Sequence, residues 1–115
     1  MRRGEIRVVD LEPSRGSEAA RQRPAVIVSN DGANTTAARL GRGVVTVVPV
    51  TSNIDRVHPF QTLLGAAATG LAVDSKAQAE QVRSVSVERL GAAIGMVPVD
   101  LMADLDDALR LHLGL

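Results

Sequence analysis

Short runs of apolar residues, set off by polar and glycine-containing stretches, organise most of the chain. Ile6 to Leu11 reads as a strand, and Ala25-Val26-Ile27-Val28, rich in β-branched side chains, reads as a second. Val44-Val45-Thr46-Val47-Val48 is the most continuous β-branched run and is expected at the centre of a sheet, buried on both sides, with Pro49 near its end. Gln61 to Leu64, Leu71 to Ser75 and Gln81 to Val85 are short candidate strands at the spacing of small barrels, and Ala92 to Val97 is the last. Ser86 to Leu90 suits one helical turn. The intervening stretches read as loops: Glu12 to Arg23 with Pro13 and Gly16, Ser29-Asn30-Asp31-Gly32 onward to Arg42, and Thr51 to Pro59. Gly65 to Gly70 reads as a flexible connection.

The period changes after Pro98. Asp100 offers an N-cap, and Leu101, Leu105, Ala108, Leu109 and His112 recur at the i, i+4, i+7, i+8, i+11 spacing of one helix face, which predicts a C-terminal helix. Strands followed by a packing helix give a compact α+β fold, mainly β: a small barrel closed by one helix. With 115 residues and no repeat or linker, residues 1–115 are expected to form a single domain.

Composition narrows the chemistry. Phe60 is the one aromatic residue, so the core must be built from aliphatic side chains that bury less area each, and a subunit interface would help stabilise it. The absence of cysteine removes disulfides, thiolate metal sites and cysteine nucleophiles, and fits a reducing cytoplasm. No apolar stretch suits a membrane span or a signal peptide, so a cytoplasmic protein with no membrane partner is expected. Net charge is zero, which argues against coating nucleic acid by bulk positive charge. The balance is nevertheless uneven: 9 basic and 6 acidic residues precede residue 57, and 4 and 7 follow. An anion site should therefore draw on the first half. All basic residues but Lys76 are arginine, whose planar guanidinium suits bidentate phosphate contacts, though a GC-rich genome accounts for the bias equally well.

His58 and His112 lie far apart, and neither has a second ligand at zinc-site spacing, so no metal is expected. No nucleophile elbow, Walker loop or dinucleotide fingerprint is present, and no cofactor is implied. What remains is a pair of polar features at strand ends: Arg21-Gln22-Arg23-Pro24 opening the second strand and Thr51-Ser52-Asn53 closing the third. If these strands are antiparallel neighbours, the arginine and the hydroxyl meet at one rim, where phosphate is a natural ligand. Taken singly, each feature is common and is met most often as solvated surface.

In order, the segments Arg3-Gly4-Glu5-Ile6, Val9-Asp10-Leu11-Glu12-Pro13, Gly16-Ser17-Glu18, Arg23-Pro24-Ala25-Val26, Ser29-Asn30-Asp31, Val48-Pro49-Val50-Thr51-Ser52 and Gln81-Val82-Arg83-Ser84 resemble the MazF/PemK toxin family over nearly the whole chain. The resemblance implies an SH3-like β-barrel of the MazF/CcdB type with a C-terminal helix. It also implies a homodimer, sequence-selective cleavage of single-stranded RNA (mRNA, tRNA or rRNA), and inhibition by a MazE-like antitoxin. By motif position Arg23 and Thr51 are the catalytic pair, and Ser17, Glu18, Asn30, Ser52, Glu80, Gln81 and Arg83 are candidates for contacting RNA. Two positions depart from the family's usual pattern: Ala19, where glutamine often follows Gly-Ser-Glu, and Ser86, where an acidic residue is frequent.

The implied reaction is attack by the RNA's own 2′-hydroxyl on the adjacent phosphate, giving a 2′,3′-cyclic phosphate and a 5′-hydroxyl. Arg23 would stabilise charge on the phosphorane and Thr51 would donate to a nonbridging oxygen. A guanidinium pKa above about 12 makes a neutral arginine base scarce, which favours an electrostatic role for Arg23. Glu18 either accepts the 2′-hydroxyl proton or pairs with Arg21, and His58 is a further candidate base. One aromatic ring is too few for a stacking platform, so base reading should be polar and at base edges. The rival readings are a CcdB-type gyrase poison, which depends on a tryptophan this chain lacks, and an inactive partner-binding barrel, which would not need Arg23 and Thr51. A purely structural subunit has no positive feature beyond the apolar stripe of the terminal helix.

Overall fold

Among the described residues Val44 to Thr51 forms the longest strand, and it lies in the interior of the sheet. In the computed structural model, which describes residues 1–11 and 22–115, the strands are β1 (Glu5–Asp10), β2 (Gln22–Ile27), β3 (Val44–Thr51), β4 (Gln61–Leu64), β5 (Ser75–Gln78), β6 (Arg83–Ser86) and β7 (Leu90–Met96). The helices are α1 (Asp31–Leu40), α2 (Ala66–Thr69) and α3 (Val99–Leu113), with 3-10 turns at Ala79–Gln81 and Val87–Arg89. All strand pairs are antiparallel, in the order β4-β5-β3-β2-β1-β7, and β6 continues beside β3 in line with β5. The sheet is not closed into a ring. Its edge strands β4 and β7 are instead brought round by α2, which follows β4 and packs on β7. A Cβ on Gly95 would fall 2.4 Å from the Thr69 carbonyl oxygen, so this approach requires glycine.

The β-branched run of β3 is buried on both faces, as its sequence predicts. Val48 and Val50 join Ile6, Val26, Leu64 and Ala77 in a core covered by Leu105 and Ala108 of α3. Val45 and Val47 join Val9, Leu11, Ala25, Ile27 and Val85 in a second core, against which Ala37 of α1 packs. Period-two alternation assigns neighbouring valines to opposite cores. Arg3 ties the layers together: its backbone N–H donates to Asp31 at the start of α1, its Nε to the Val28 carbonyl, and its Nη2 to Asp106 of α3 at 2.6 Å. On β1, burial pushes the Glu5 carboxyl's pKa up. Hydrogen bonds from the Arg7 guanidinium and the Arg2 backbone, with the nearby positive charges, outweigh burial and leave it below its ordinary value.

Several elements differ from the sequence reading. The stretch read as a loop up to Arg42 contains the ten-residue helix α1. Asn30 caps its N-terminus by accepting from the Ala33 N–H at 2.8 Å, and Gly41 ends it in the left-handed conformation at φ 65°. The strand expected at Leu71 to Ser75 lies later, at Ser75–Gln78, because Leu71 and Val73 belong to the turn before it. The strand expected at Gln81 to Val85 begins at Arg83, since Gln81 ends a 3-10 turn. Gly65 to Gly70 is not a plain connection but contains α2, and α3 starts at Val99 with Pro98 at the cap, so Asp100 lies in the first turn. Of the apolar stripe, Leu105 and Ala108 are buried, Leu101 and Leu109 pack at the margin, and His112 is exposed. Among the described residues no helix is long and apolar enough to cross a membrane.

Candidate active site

The register of β2 on β3 builds the site. Ala25 pairs with Pro49, Val26 with Val48 and Ile27 with Val47, so the same count carried two residues further sets Arg23 opposite Thr51. Pro24 favours an extended backbone at Arg23, the conformation a strand requires. Both residues, with Ser52, line a cavity of about 320 Å³ at the strand ends, walled by Val50, Leu71, Val73 and Ile94. The arginine and hydroxyl expected to meet at one rim are thus brought together there.

The local bonding leaves both groups able to act. The Thr51 hydroxyl accepts from the Asn53 N–H at 3.3 Å, and Asn53 in turn accepts from the Asp55 N–H at 3.2 Å. This chain of turns fixes the hydroxyl while its own hydrogen remains available as a donor. Arg23 Nη1 donates to the Gln78 side-chain oxygen at 3.3 Å, a neutral acceptor that leaves the guanidinium charge intact. Lys76, the residue paired with Thr51 across β3 and β5, is only 8% exposed, and its Nζ donates to the Arg56 carbonyl at 2.5 Å. It anchors the loop that leaves the site.

The remaining candidates are dispersed. Ser17 and Glu18 lie outside the described residues. Asn30 is exposed and committed to capping α1. Glu80, Gln81 and Arg83 surround a separate shallow cavity of about 220 Å³ at the turn between β5 and β6. There Gln61 donates to one Glu80 carboxylate oxygen at 2.7 Å while accepting from the His58 N–H at 3.1 Å, and the other carboxylate oxygen is buried with no partner among the described residues. Arg83 donates to the Leu11 carbonyl at 3.3 Å. The His58 ring stacks on Phe60 with centroids 5.0 Å apart. Among the described residues no three His, Asp or Glu side chains gather in the manner of metal ligands. Gln78, which bonds Arg23, and Lys76, which pairs with Thr51, have no site role in the sequence reading, where Lys76 stands out only as the single lysine; their signal is two long polar side chains in a strand otherwise made of small residues.

Comparison with known proteins agrees with this architecture. The family pattern of the PemK-like, MazF-like toxins of type II toxin-antitoxin systems matches residues 2–113. The chain is 68% identical over 115 residues to endoribonuclease MazF9 of Mycobacterium tuberculosis, covering 100% of this chain and 98% of that protein. Among solved structures it is similar to a mycobacterial endoribonuclease in complex with its cognate antitoxin, at 25% identity and a TM-score of 0.79, covering 100% of this chain and 96% of that one. It is also similar in fold to MazF from Deinococcus radiodurans, at 24% identity and a TM-score of 0.79, over 100% and 97% of the two chains. The chain therefore belongs to the PemK-like, MazF-like toxins of type II toxin-antitoxin systems and is an endoribonuclease of that family.

Proposed function

We propose that this endoribonuclease cleaves single-stranded RNA at the Arg23–Thr51 rim by intramolecular transesterification. The 2′-oxygen bonds to the adjacent phosphorus as its proton leaves to a base, and the P–O5′ bond breaks as the departing oxygen takes up a proton. The products are a 2′,3′-cyclic phosphate and a 5′-hydroxyl. The observation that carries this reading is the shared cavity in which register sets Arg23 beside Thr51. An arginine whose described partner is neutral can stabilise the growing negative charge of the phosphorane, and a hydroxyl free to donate can bond a nonbridging oxygen. The substrate supplies its own nucleophile, so no metal-bound water is needed.

RNA contacts at Ser17, Glu18, Asn30, Ser52, Glu80, Gln81 and Arg83 would select a short motif through base edges. The toxin would act in the cytoplasm as a homodimer, restrained by a MazE-like antitoxin. Pairing is favoured by apolar side chains left exposed on the described surface, among them Leu40, Val44 and Val99. Incubation of the purified protein with long single-stranded RNA in excess EDTA tests the chemistry. Fragments with cyclic-phosphate and 5′-hydroxyl ends are expected. Intact RNA, or fragments carrying 5′-phosphates, would overturn it.

A further inference from the structure

We propose that Gln78 is a positioning residue for RNA cleavage, its side-chain oxygen holding the Arg23 guanidinium in the orientation that meets the scissile phosphate. The inference rests on the assignment of Arg23 above. Thr51 pairs with Lys76, and the count of β2 on β3 places Arg23 opposite Thr51, so alternation puts Arg23, Thr51, Lys76 and Gln78 on one face across three strands. Gln78 sits diagonally from Arg23 on that face, and the 3.3 Å hydrogen bond spans β3.

The anchor is itself held. Gln78 is half-buried, its backbone is paired opposite Gln61 in β4, and the 3-10 turn begins at the next residue. Arg23 is half-buried near the start of β2, where an untethered guanidinium would still sample several rotamers and lose that freedom in the transition state. A neutral acceptor suits this role, because it engages one of the five N–H donors and leaves the full charge for the phosphate. Among the described residues no carboxylate forms an ion pair with Arg23. A carboxylate at position 78 would hold the arginine more firmly but compete with the phosphate for it.

Single-turnover and steady-state cleavage by Gln78→Met, Gln78→Glu, Arg23→Ala and the double variant Arg23→Ala/Gln78→Met test the inference. Gln78→Met, similar in length but without the acceptor, should lower kcat about tenfold with KM changed less than about twofold, the scale of one hydrogen bond to a charged group felt in the transition state. Gln78→Glu should fall at least as far although it keeps an acceptor, and Gln78→Met should cost nothing further once Arg23 is alanine. Wild-type kcat in both Gln78 variants beside an inactive Arg23→Ala would overturn this role while leaving Arg23 catalytic. An equal loss from Gln78→Met with and without Arg23 would also overturn it, as a merely structural effect. Near-wild-type cleavage by Arg23→Ala would remove the Arg23 assignment and this inference with it. Thermal melts check each fold, and Gln78→Glu carries the test alone if the methionine variant does not fold.

Discussion

The two flanks of β3 serve the site in different ways. On one flank β2 runs in unbroken register, and the position of Arg23 follows from counting residues. On the other flank, Ala77 and Arg83 are six positions apart while their partners Val50 and Val47 are three apart, so the chain must bulge through a 3-10 turn that carries Glu80 and Gln81. Backbone ladders hold the first region. Side-chain bonds hold much of the second: Gln61 to Glu80, and Arg83 to the Leu11 carbonyl. On the proposed reading, Arg23 and Thr51, which would meet the phosphate, sit on the regular flank, and Glu80, Gln81 and Arg83, which would read bases, sit on the irregular one, where backbone shape is set by local partners.

This contrast can be broken most sharply at the proposed catalytic pair, Arg23 and Thr51. Arg23→Ala and Thr51→Ala should each reduce cleavage at least about a hundredfold, the scale of losing one transition-state stabiliser, with melting temperatures near wild type because neither side chain lies in a core. Rate assays on folded variants check this. Gln61→Leu should do the reverse. It strands the Glu80 carboxylate and the His58 N–H, costing about 1–3 kcal/mol in denaturant unfolding, while kcat at saturating RNA stays within about threefold for the folded molecule. If Gln61→Leu abolished cleavage at full stability, the division between the flanks would fail.

The smallest expected effect lies at Glu5, remote from both flanks. Its pKa is depressed in the folded state, so the stabilisation it gives is present above the unfolded-state value and is lost as pH falls through the folded-state value. Glu5→Gln should therefore cost under about 1 kcal/mol at neutral pH and make stability decline less steeply on the acid side. Unfolding curves between neutral pH and pH 3 would show it. A variant with an unchanged acid limb would mean that the Arg7 and Arg2 contacts contribute nothing.

Much of this architecture is legible in the residues. The valines of β3 and the leucine spacing of α3 announced themselves through periodicity, and the Arg-Pro and Thr-Ser strand ends pointed to a shared rim. Helix α1 was hidden because only Asn34 and Ala37 of its ten residues are buried, leaving no apolar stripe, and because Ser-Asn-Asp-Gly signals a turn as strongly as a cap. Its true markers were Asn30 three residues before Ala33 and Gly41 at the far end. Strand β5 lies later than the apolar pattern suggests because Leu71 enters the core from the turn before it and Val73 is exposed, while the strand itself buries Ser75, Lys76 and Ala77. The bond from Arg23 to Gln78 joins residues 55 apart in sequence, and no local pattern encodes it.

With Arg23 and Thr51 in the proposed catalytic role, the interruption between β5 and β6 would also separate inheritance of catalysis from inheritance of preference. Because both strands are stapled to the single continuous strand β3, the residues between Ala77 and Arg83 resemble an interchangeable tool head on a fixed shaft. Lengthening such a surface segment adds little closure entropy and need not move the register of β2. Grafting alternative turns at this point, with Gln78 retained, offers a route to new cleavage specificities on an unchanged catalytic frame.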